Sequence, residues 1–308
     1  MTSTTQSDRR VSVISWPVLL AFAIVYLVWG STYLAIRFAV ETIPPLIMSG
    51  TRFLAAGGAL YAWCLVRSDK ASSPTAAQWR AAAVTGLFLI AASYGLVSWA
   101  ELTVPSGIVA LITAMTPLWM VLFSSIAIAR RPSALVIAGI IIGLGAQALL
   151  FGVGSTDQAR IDPWGLGAVL LAGIAWALGS LRARKADLPA DAFLGSAMQM
   201  LTGGAMLVIL GLLAGEGAHF TLADVTRRSA LAWVYLVVAG SMIAYSAYLY
   251  LLKATTPARA STYAYVNPIV AVFLGWLLAG EPFGPRTVAA MALTLVAVLA
   301  INLGAASE

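Results

Sequence analysis

The sequence predicts an all-α membrane protein of ten transmembrane helices in two inverted five-helix repeats, with both termini cytoplasmic. Three observations carry that expectation. The 308 residues are 61% hydrophobic and only 10% charged, with a mean hydropathy of +0.91. A soluble domain carries about 25% charged residues, so a chain this apolar cannot clothe a water-facing surface. The apolar residues also fall into ten runs of the roughly 20 residues that a membrane helix needs. Finally, the second half of the chain repeats the first.

Taken in order, the runs cover residues 17–36, 45–66, 78–97, 104–128, 134–151, 163–181, 191–213, 229–252, 259–279 and 285–303. Pro17, Pro45, Pro163 and Pro285 stand at the starts of runs, where a missing N–H matters least. The first run follows Arg9 and Arg10 but is too long for the apolar core of a signal peptide, so it is read as a retained helix. The longest connections, 152–162 and 214–228, are polar and contain glycine. They leave no room for a soluble domain.

Charge sets the expected orientation. With the N-terminus inside, Arg9, Arg10, Arg67, Lys70, Arg80, Arg130, Arg131, Arg182, Arg184, Lys185, Lys253 and Arg259 lie in cytoplasmic segments. Arg37, Arg160, Arg227, Arg228 and Arg286 lie outside, and Arg52 lies within a span. The excess of basic residues belongs on the cytoplasmic side. The net charge of +6 is therefore read as topology, not as a nucleic-acid surface. The single cysteine, Cys64, falls in an apolar run and suits a buried small hydrophobe. With one histidine, His219, in a loop, a dedicated His/Cys metal site is not expected, nor any other cofactor. The phosphate-loop template is not matched.

The repeat is visible in the residues. Trp29-Gly-Ser-Thr-Tyr33-Leu-Ala-Ile-Arg37 corresponds to Trp176-Ala-Leu-Gly-Ser180-Leu-Arg-Ala-Arg184 at an offset of 147. SGTRFLAAG at 49–57 matches SAMQMLTGG at 196–204 at the same offset, placing Arg52 opposite Gln199. Later the offset becomes 151, pairing Tyr94 with Tyr245 and Pro117 with Pro268. Five helices is an odd number, so the second repeat (163–303) enters the membrane inverted relative to the first (17–151). Inverted repeats with discontinuous helices are a transporter architecture, with the substrate site at the repeat interface.

Two runs have prolines near mid-span: LITAMTPLWMVLF at 111–123 and STYAYVNPIVAVFLG at 261–275. Each proline leaves the carbonyl four residues earlier without its usual donor. Pro117 and Pro268 are expected as hinges or kinks that let each half rock, or as static kinks that improve packing.

Helical spacing groups the polar residues into faces. Tyr94, Ser98 and Glu101 share one; Ser241, Tyr245 and Tyr248 another; Tyr263 and Asn267 a third, with Tyr265 opposite. The expected substrate-binding set is Tyr94, Thr116, Tyr245, Tyr248, Tyr263 and Asn267, offering rings and a few hydrogen bonds to an amphipathic ligand. The competing expectation is that these groups bond helix to helix or sit in interfacial belts, as Trp99 and Tyr250 do.

Arg52 is the one charge well inside a span, which marks function by default. It can snorkel to the nearer interface, pair with Glu41 or Glu101, or bind a substrate carboxylate. Arg52 and Glu101 are the candidates for gating or coupling, and Glu101 is the carboxylate nominated for proton coupling. Arg37 and Arg184, at helix ends, suit the interface or a gate. Gly139, Gly143 and Gly145 form a small-residue face for packing within the chain or for a dimer contact. A monomer or weak homodimer is expected, with a small-molecule substrate and lipid as partners.

WGSTYLAIR in the first run, RFLAAG in the second, AELTVPSGIVAL at 100–111 and STYAYVNP in the ninth together resemble the EamA-type ten-helix members of the drug/metabolite transporter superfamily, and within it the YedA-like branch of inner-membrane exporters. The resemblance spans roughly residues 18–303. It implies export of small metabolites, amino acids or drugs across the cell inner membrane by alternating access. It also implies a central cavity lined largely by the third, fourth, eighth and ninth helices. The family often ends its fourth and ninth helices with Gly-Glu. Here Gly280-Glu281 keeps that dipeptide while the first half has Ala129-Arg130, so the resemblance does not imply a symmetric glutamate pair. Two rivals from other classes are an intramembrane enzyme acting on lipid and a small-solute channel. The first needs catalytic groups at membrane depth that the sequence lacks; the second has no need of two mid-helix breaks.

Overall fold

The structure, a computed structural model, describes residues 16–67, 73–128, 133–150, 162–218, 220–255 and 262–306. Arg9, Arg10, Lys70, Arg130, Arg131, Arg160, His219 and Arg259 lie outside the described residues. Among the described residues every regular element is helical.

We number the helices in chain order. Helix α1 is Trp16–Ala39, α2 is Pro45–Arg67 and α3 is Ala76–Ala100. Helix α4 comes in two pieces, Ser106–Thr113 and Thr116–Ile128. Then follow α5, Ala134–Leu150, α6, Pro163–Ala183, and α7, Ala192–Leu213. Helix α8 runs from Arg227–Tyr235 through Leu236–Ile243 to Ala244–Ala254. Helices α9 and α10 are Tyr263–Ala279 and Pro285–Ala306. Seven of these helices are long and apolar enough to cross a membrane, and α5 and α9 are shorter apolar helices.

The starts follow from local chemistry. Pro45, Pro163 and Pro285 open their helices. Thr75 and Gln78 close a capping box on α3, and the side chains of Asp162, Asp191 and Thr226 accept first-turn N–H groups of α6, α7 and α8. Each thus satisfies donors that a helix end leaves free.

Packing follows a two-fold pattern. Helix α2 lies on α7, α5 on α10 and α4 on α9. These three pairs map onto themselves when the five helices of one half are exchanged for those of the other. The pairs α3–α6 and α1–α9 map onto α8–α1 and α6–α4, which are also present. Close approach along α2–α7 requires small residues: a Cβ added to Gly204 would lie 2.9 Å from the Gly50 carbonyl oxygen. Gly139 and Gly143 face inward, toward Ile301 and Ala297 of α10 and Met115, whereas Gly145 faces open space. Cys64 is buried beside Ala82, Leu194 and Met198.

The two proline-bearing helices differ. Helix α4 is interrupted at Ala114 and Met115, so Pro117 sits in the first turn of its second piece, where no N–H is needed. Thr116 Oγ1 donates to the Thr113 carbonyl across that gap (2.6 Å). Helix α9 runs unbroken through Pro268. The expected pair of matching mid-helix breaks is therefore one break and one continuous helix. Breaks of another kind appear instead: π-helical turns at Val25–Trp29 in α1, Leu87–Ala92 in α3 and Leu236–Ile243 in α8. Such turns insert a residue and re-aim the side chains beyond them, often at functional sites.

Candidate functional site

The tyrosines singled out by spacing fall into two aromatic groups, one among α1, α8 and α9 and one between α2, α3 and α6. Trp29 ends the π turn of α1. Its ring centroid lies 5.1 Å from Tyr248 and 5.2 Å from Tyr263, and those two tyrosines are 5.7 Å apart. The result is a closed triangle of rings in edge-to-face or tilted contact, the geometry aromatic pairs prefer. Tyr94 on α3 stacks edge-on against Phe53 (4.8 Å) and against Trp176 on α6 (5.9 Å). Tyr33 joins α1 to α4 through a hydrogen bond to Thr113 (2.8 Å). Trp29, Tyr33, Tyr94, Trp176, Tyr245, Tyr248 and Tyr263 are each half-buried.

Other members of the expected set are committed to neighbours. Tyr245 exchanges a hydrogen bond with Ser196 on α7 (2.5 Å). Asn267 is buried, and its side-chain nitrogen donates to the carbonyls of Tyr26 and Tyr263 (3.2 Å each). It thereby fastens α9 to the π turn of α1. Thr116 faces Gly173 of α6, one turn from Trp176, rather than the tyrosine rings. Tyr265 points away to α10, where Asn302 donates to its hydroxyl (2.5 Å). Trp99 and Tyr250 are exposed on the outside of the bundle.

Arg52 has not snorkelled: it is 2% exposed. Glu41 pairs instead with Arg228 (3.4 Å), and no described carboxylate ion-pairs with Arg52. Its Nε donates to Ser241 on α8 (2.9 Å), while Nη1 is buried without a partner. The guanidinium carbon lies 4.8 Å from the Phe53 ring centroid and 5.4 Å from that of Tyr94, distances at which aromatic faces attract a cation. The residue opposite it in the repeat, Gln199, is also buried and donates to Thr85 on α3 (2.9 Å).

One end of the bundle is cross-tied. Helices α7 and α9 both finish in a left-handed glycine followed by glutamate, Gly215-Glu216 and Gly280-Glu281. The glutamate N–H groups reach back to the carbonyls of Gly211 and Gly275, as helix stops of this type do. Glu216 then accepts from the N–H groups of Leu46 and Ile47 at the start of α2 (3.1 and 2.9 Å). Glu281 accepts from Ser106 and Gly107 at the start of α4 (2.7 and 3.0 Å). Each carboxylate satisfies free donors and faces the positive end of a helix dipole. The second half thus holds both Gly-Glu stops, and they cap two helices of the first half. Spacing did not single out Glu216; the repeated Gly-Glu dipeptide was the available signal.

Glu101 sits at this same end, in the turn beyond α3. It is fully buried and neither carboxylate oxygen has a hydrogen-bond partner. Burial pushes its carboxyl well above the usual carboxylate range and the nearby Glu281 pushes it further, while Arg37 and Arg52 pull the other way. Arg37 spends its guanidinium on the backbone carbonyls of Glu101 and Leu102. Between Glu101 and Arg52, Ser49 of α2 and Ser98 of α3 share a buried hydrogen bond (2.6 Å). Arg184, the repeat counterpart of Arg37, is exposed.

Comparison with known proteins agrees with this architecture in both halves. The profile of the EamA-like transporter family matches residues 16–152 and 163–303. The chain belongs to the EamA-like transporter family. It is 39% identical over 289 residues to the inner membrane transporter YedA of Escherichia coli (strain K12), spanning 94% of this chain and 91% of that protein. It is 28% identical over 259 residues to protein PecM of Dickeya dadantii (strain 3937), spanning 81% of this chain and 80% of PecM. A solved crystal structure with 20% identity superposes at a TM-score of 0.64 over 93% of this chain and 96% of its own, which speaks for the fold. The two EamA matches share a boundary between α5 and α6, the boundary of the two-fold packing pattern.

A groove of about 490 Å³ lies between α1, α8 and α9, lined by Leu27, Val28, Tyr235, Ile269 and Phe273 among others. Leu27 and Phe273 are largely exposed, so this groove opens on the apolar flank of the EamA bundle, apart from the tyrosine cluster.

Proposed function

We propose that this protein is a multi-pass inner-membrane carrier that exports small organic molecules, amino acids, amphipathic metabolites or drugs, by alternating access. The observation that carries the reading is the contact of half-buried aromatic rings across the two halves: Trp29 of the first with Tyr248 and Tyr263 of the second, and Tyr94 of the first with Trp176 of the second. A site built at a repeat interface suits a carrier. Tyr94, Tyr248 and Tyr263 would contact substrate directly; Tyr245, Thr116 and Asn267 would hold the walls. Ten helices would span the membrane with both termini in the cytoplasm, the second repeat inverted.

The cross-tied end would face outward. There Glu216, Glu281 and Arg37 join helices whose separation opens the cavity to that side. Rocking would be taken up at the interruption in α4 before Pro117 and at Pro268 in α9. Membership of a transporter family supports this reading over an intramembrane enzyme or a channel. The test is counterflow into proteoliposomes of labelled amino acids and amphipathic metabolites. Saturable flux accelerated by substrate on the far side is expected; a linear, unsaturable flux overturns the carrier reading.

A further inference from the structure

We infer that Arg52 is the anion-binding group of the cavity and takes the carboxylate of an aromatic or otherwise apolar acid. The inference rests on the carrier reading above and names the substrate class of the same site. A guanidinium is always charged and presents a fork of donors matched to a carboxylate. In Arg52 one arm of that fork is used: Nε on Ser241, with Nη1 buried and unpartnered. Leaving a buried charge without a partner is strongly unfavourable, so the arrangement calls for a function or a counter-ion.

Neither nearby carboxylate closes an ion pair on Arg52. Glu41 holds Arg228. Glu101 is near enough for Arg52 to act on its carboxyl, yet both its oxygens stay without a hydrogen-bond partner. The guanidinium itself needs the glycine of α8 beside it: a Cβ on Gly240 would come within 3.2 Å of Nη2. The link from α2 to α8 does not itself need a charge, because Gln199 makes the same kind of link from α7 to α3 through an amide. The aromatic neighbours of the guanidinium are the Phe53 and Tyr94 rings, with Trp176 beyond Tyr94. A ligand that placed a carboxylate on Arg52 would lay its apolar body among these rings. The chemistry therefore favours an apolar acid over a cation, which the guanidinium would repel.

The test is equilibrium binding to the purified full-length protein in lipid nanodiscs. Radiolabelled phenylacetate is the probe, with phenylacetamide and phenethylamine as its neutral and cationic matches. The wild-type protein should bind phenylacetate at least about tenfold more tightly than phenylacetamide, the worth of a charge-assisted hydrogen bond, and phenethylamine least. Arg52→Gln should reduce phenylacetate to the level of phenylacetamide without weakening the amide; Arg52→Lys should restore part of the preference. Equal binding of acid and amide by the wild type overturns the inference and needs no variant. So does an Arg52→Gln protein that still prefers the acid. Either result leaves the carrier reading standing. Binding of none of the three removes the aromatic cavity itself, and this inference with it.

Discussion

Arg52 and Gln199 occupy equivalent places in the two halves, and each reaches from the second helix of its own half to a hydroxyl in the other. Arg52 bonds Ser241 and Gln199 bonds Thr85, both at 2.9 Å. Both residues are buried. One link is neutral and satisfied; the other carries a charge with a donor to spare. A link that holds two halves together works without charge, as Gln199 demonstrates. The charge on Arg52 is therefore an addition to the structural element, and it sits on the side where Tyr94 and Phe53 face it. The same inequality runs through both halves. The first contributes the buried charges, Arg52 and Glu101; the second contributes the triangle partners Tyr248 and Tyr263 and the two capping glutamates.

The most severe way to break this comparison is to give the second half the residue of the first. Gln199→Arg would place a guanidinium beside Thr85, where the partner is a hydroxyl. On insertion scales an arginine at membrane depth costs about 2.5–3.5 kcal/mol. Folded yield and thermal midpoint of Gln199→Arg should therefore fall sharply, while Arg52→Gln, which copies the neutral link, remains folded. A Gln199→Arg protein as stable as wild type would mean that the bundle tolerates an unpaired arginine, and the argument for a ligand on Arg52 would lose its main support.

A second, smaller effect tests the other buried charge. Glu101 has a carboxyl pushed above its ordinary range by burial and by Glu281. A carboxyl whose value is raised in the folded state binds its proton more tightly folded than unfolded. Stability is therefore greatest below the unfolded value of about 4.3, and it declines as pH rises through the raised folded value. The slope for one such group is at most about 1.4 kcal/mol per pH unit. Thermal midpoints of wild type and Glu101→Gln measured from acid to neutral pH should converge at the acid end and separate toward neutral, with the glutamine variant the more stable there. Parallel curves would place the titrating group elsewhere.

How much of this was legible follows from the kind of signal each feature leaves. Helix positions come from runs of apolar residues, and the ends expected at 45, 134, 163 and 285 coincide with the observed starts because proline or the apolar run itself marks them. The faces carrying Tyr94, Tyr245, Tyr248 and Tyr263 follow from helical spacing. Arg52 stands out as a charge among apolar residues. The π turns leave no such mark: one inserted residue changes the register of α1, α3 and α8 without any residue type that requires it. Asn267 illustrates the consequence. Its spacing with Tyr263 suggests a cavity face, yet its amide is used on a carbonyl, that of Tyr26, at the π turn of α1. The prolines mislead for a related reason. Pro117 and Pro268 are equivalent in sequence, but a proline shows only which N–H is absent, and the chain gives that absence a cost in α9 and none in α4.

The finest test compares the tyrosines that the repeat makes equivalent. The Tyr245 hydroxyl shares a hydrogen bond with Ser196 between α8 and α7, whereas Tyr94 is held by its ring, against Phe53 and Trp176. Removing one hydroxyl by phenylalanine should therefore separate them. Tyr245→Phe should lower stability by about 1 kcal/mol, the net worth of such a bond, even though Ser196 keeps its bond to the Ala192 carbonyl. Tyr94→Phe keeps the ring contacts and the cation-facing surface, so thermal midpoint should stay within measurement error and any change should appear in substrate affinity. If Tyr94→Phe proves the more destabilising, its hydroxyl serves packing and the division of labour between the halves is misplaced at this pair. Equal and small changes at both would show that the second half holds α8 to α7 by shape, as the first half holds α3 to α2.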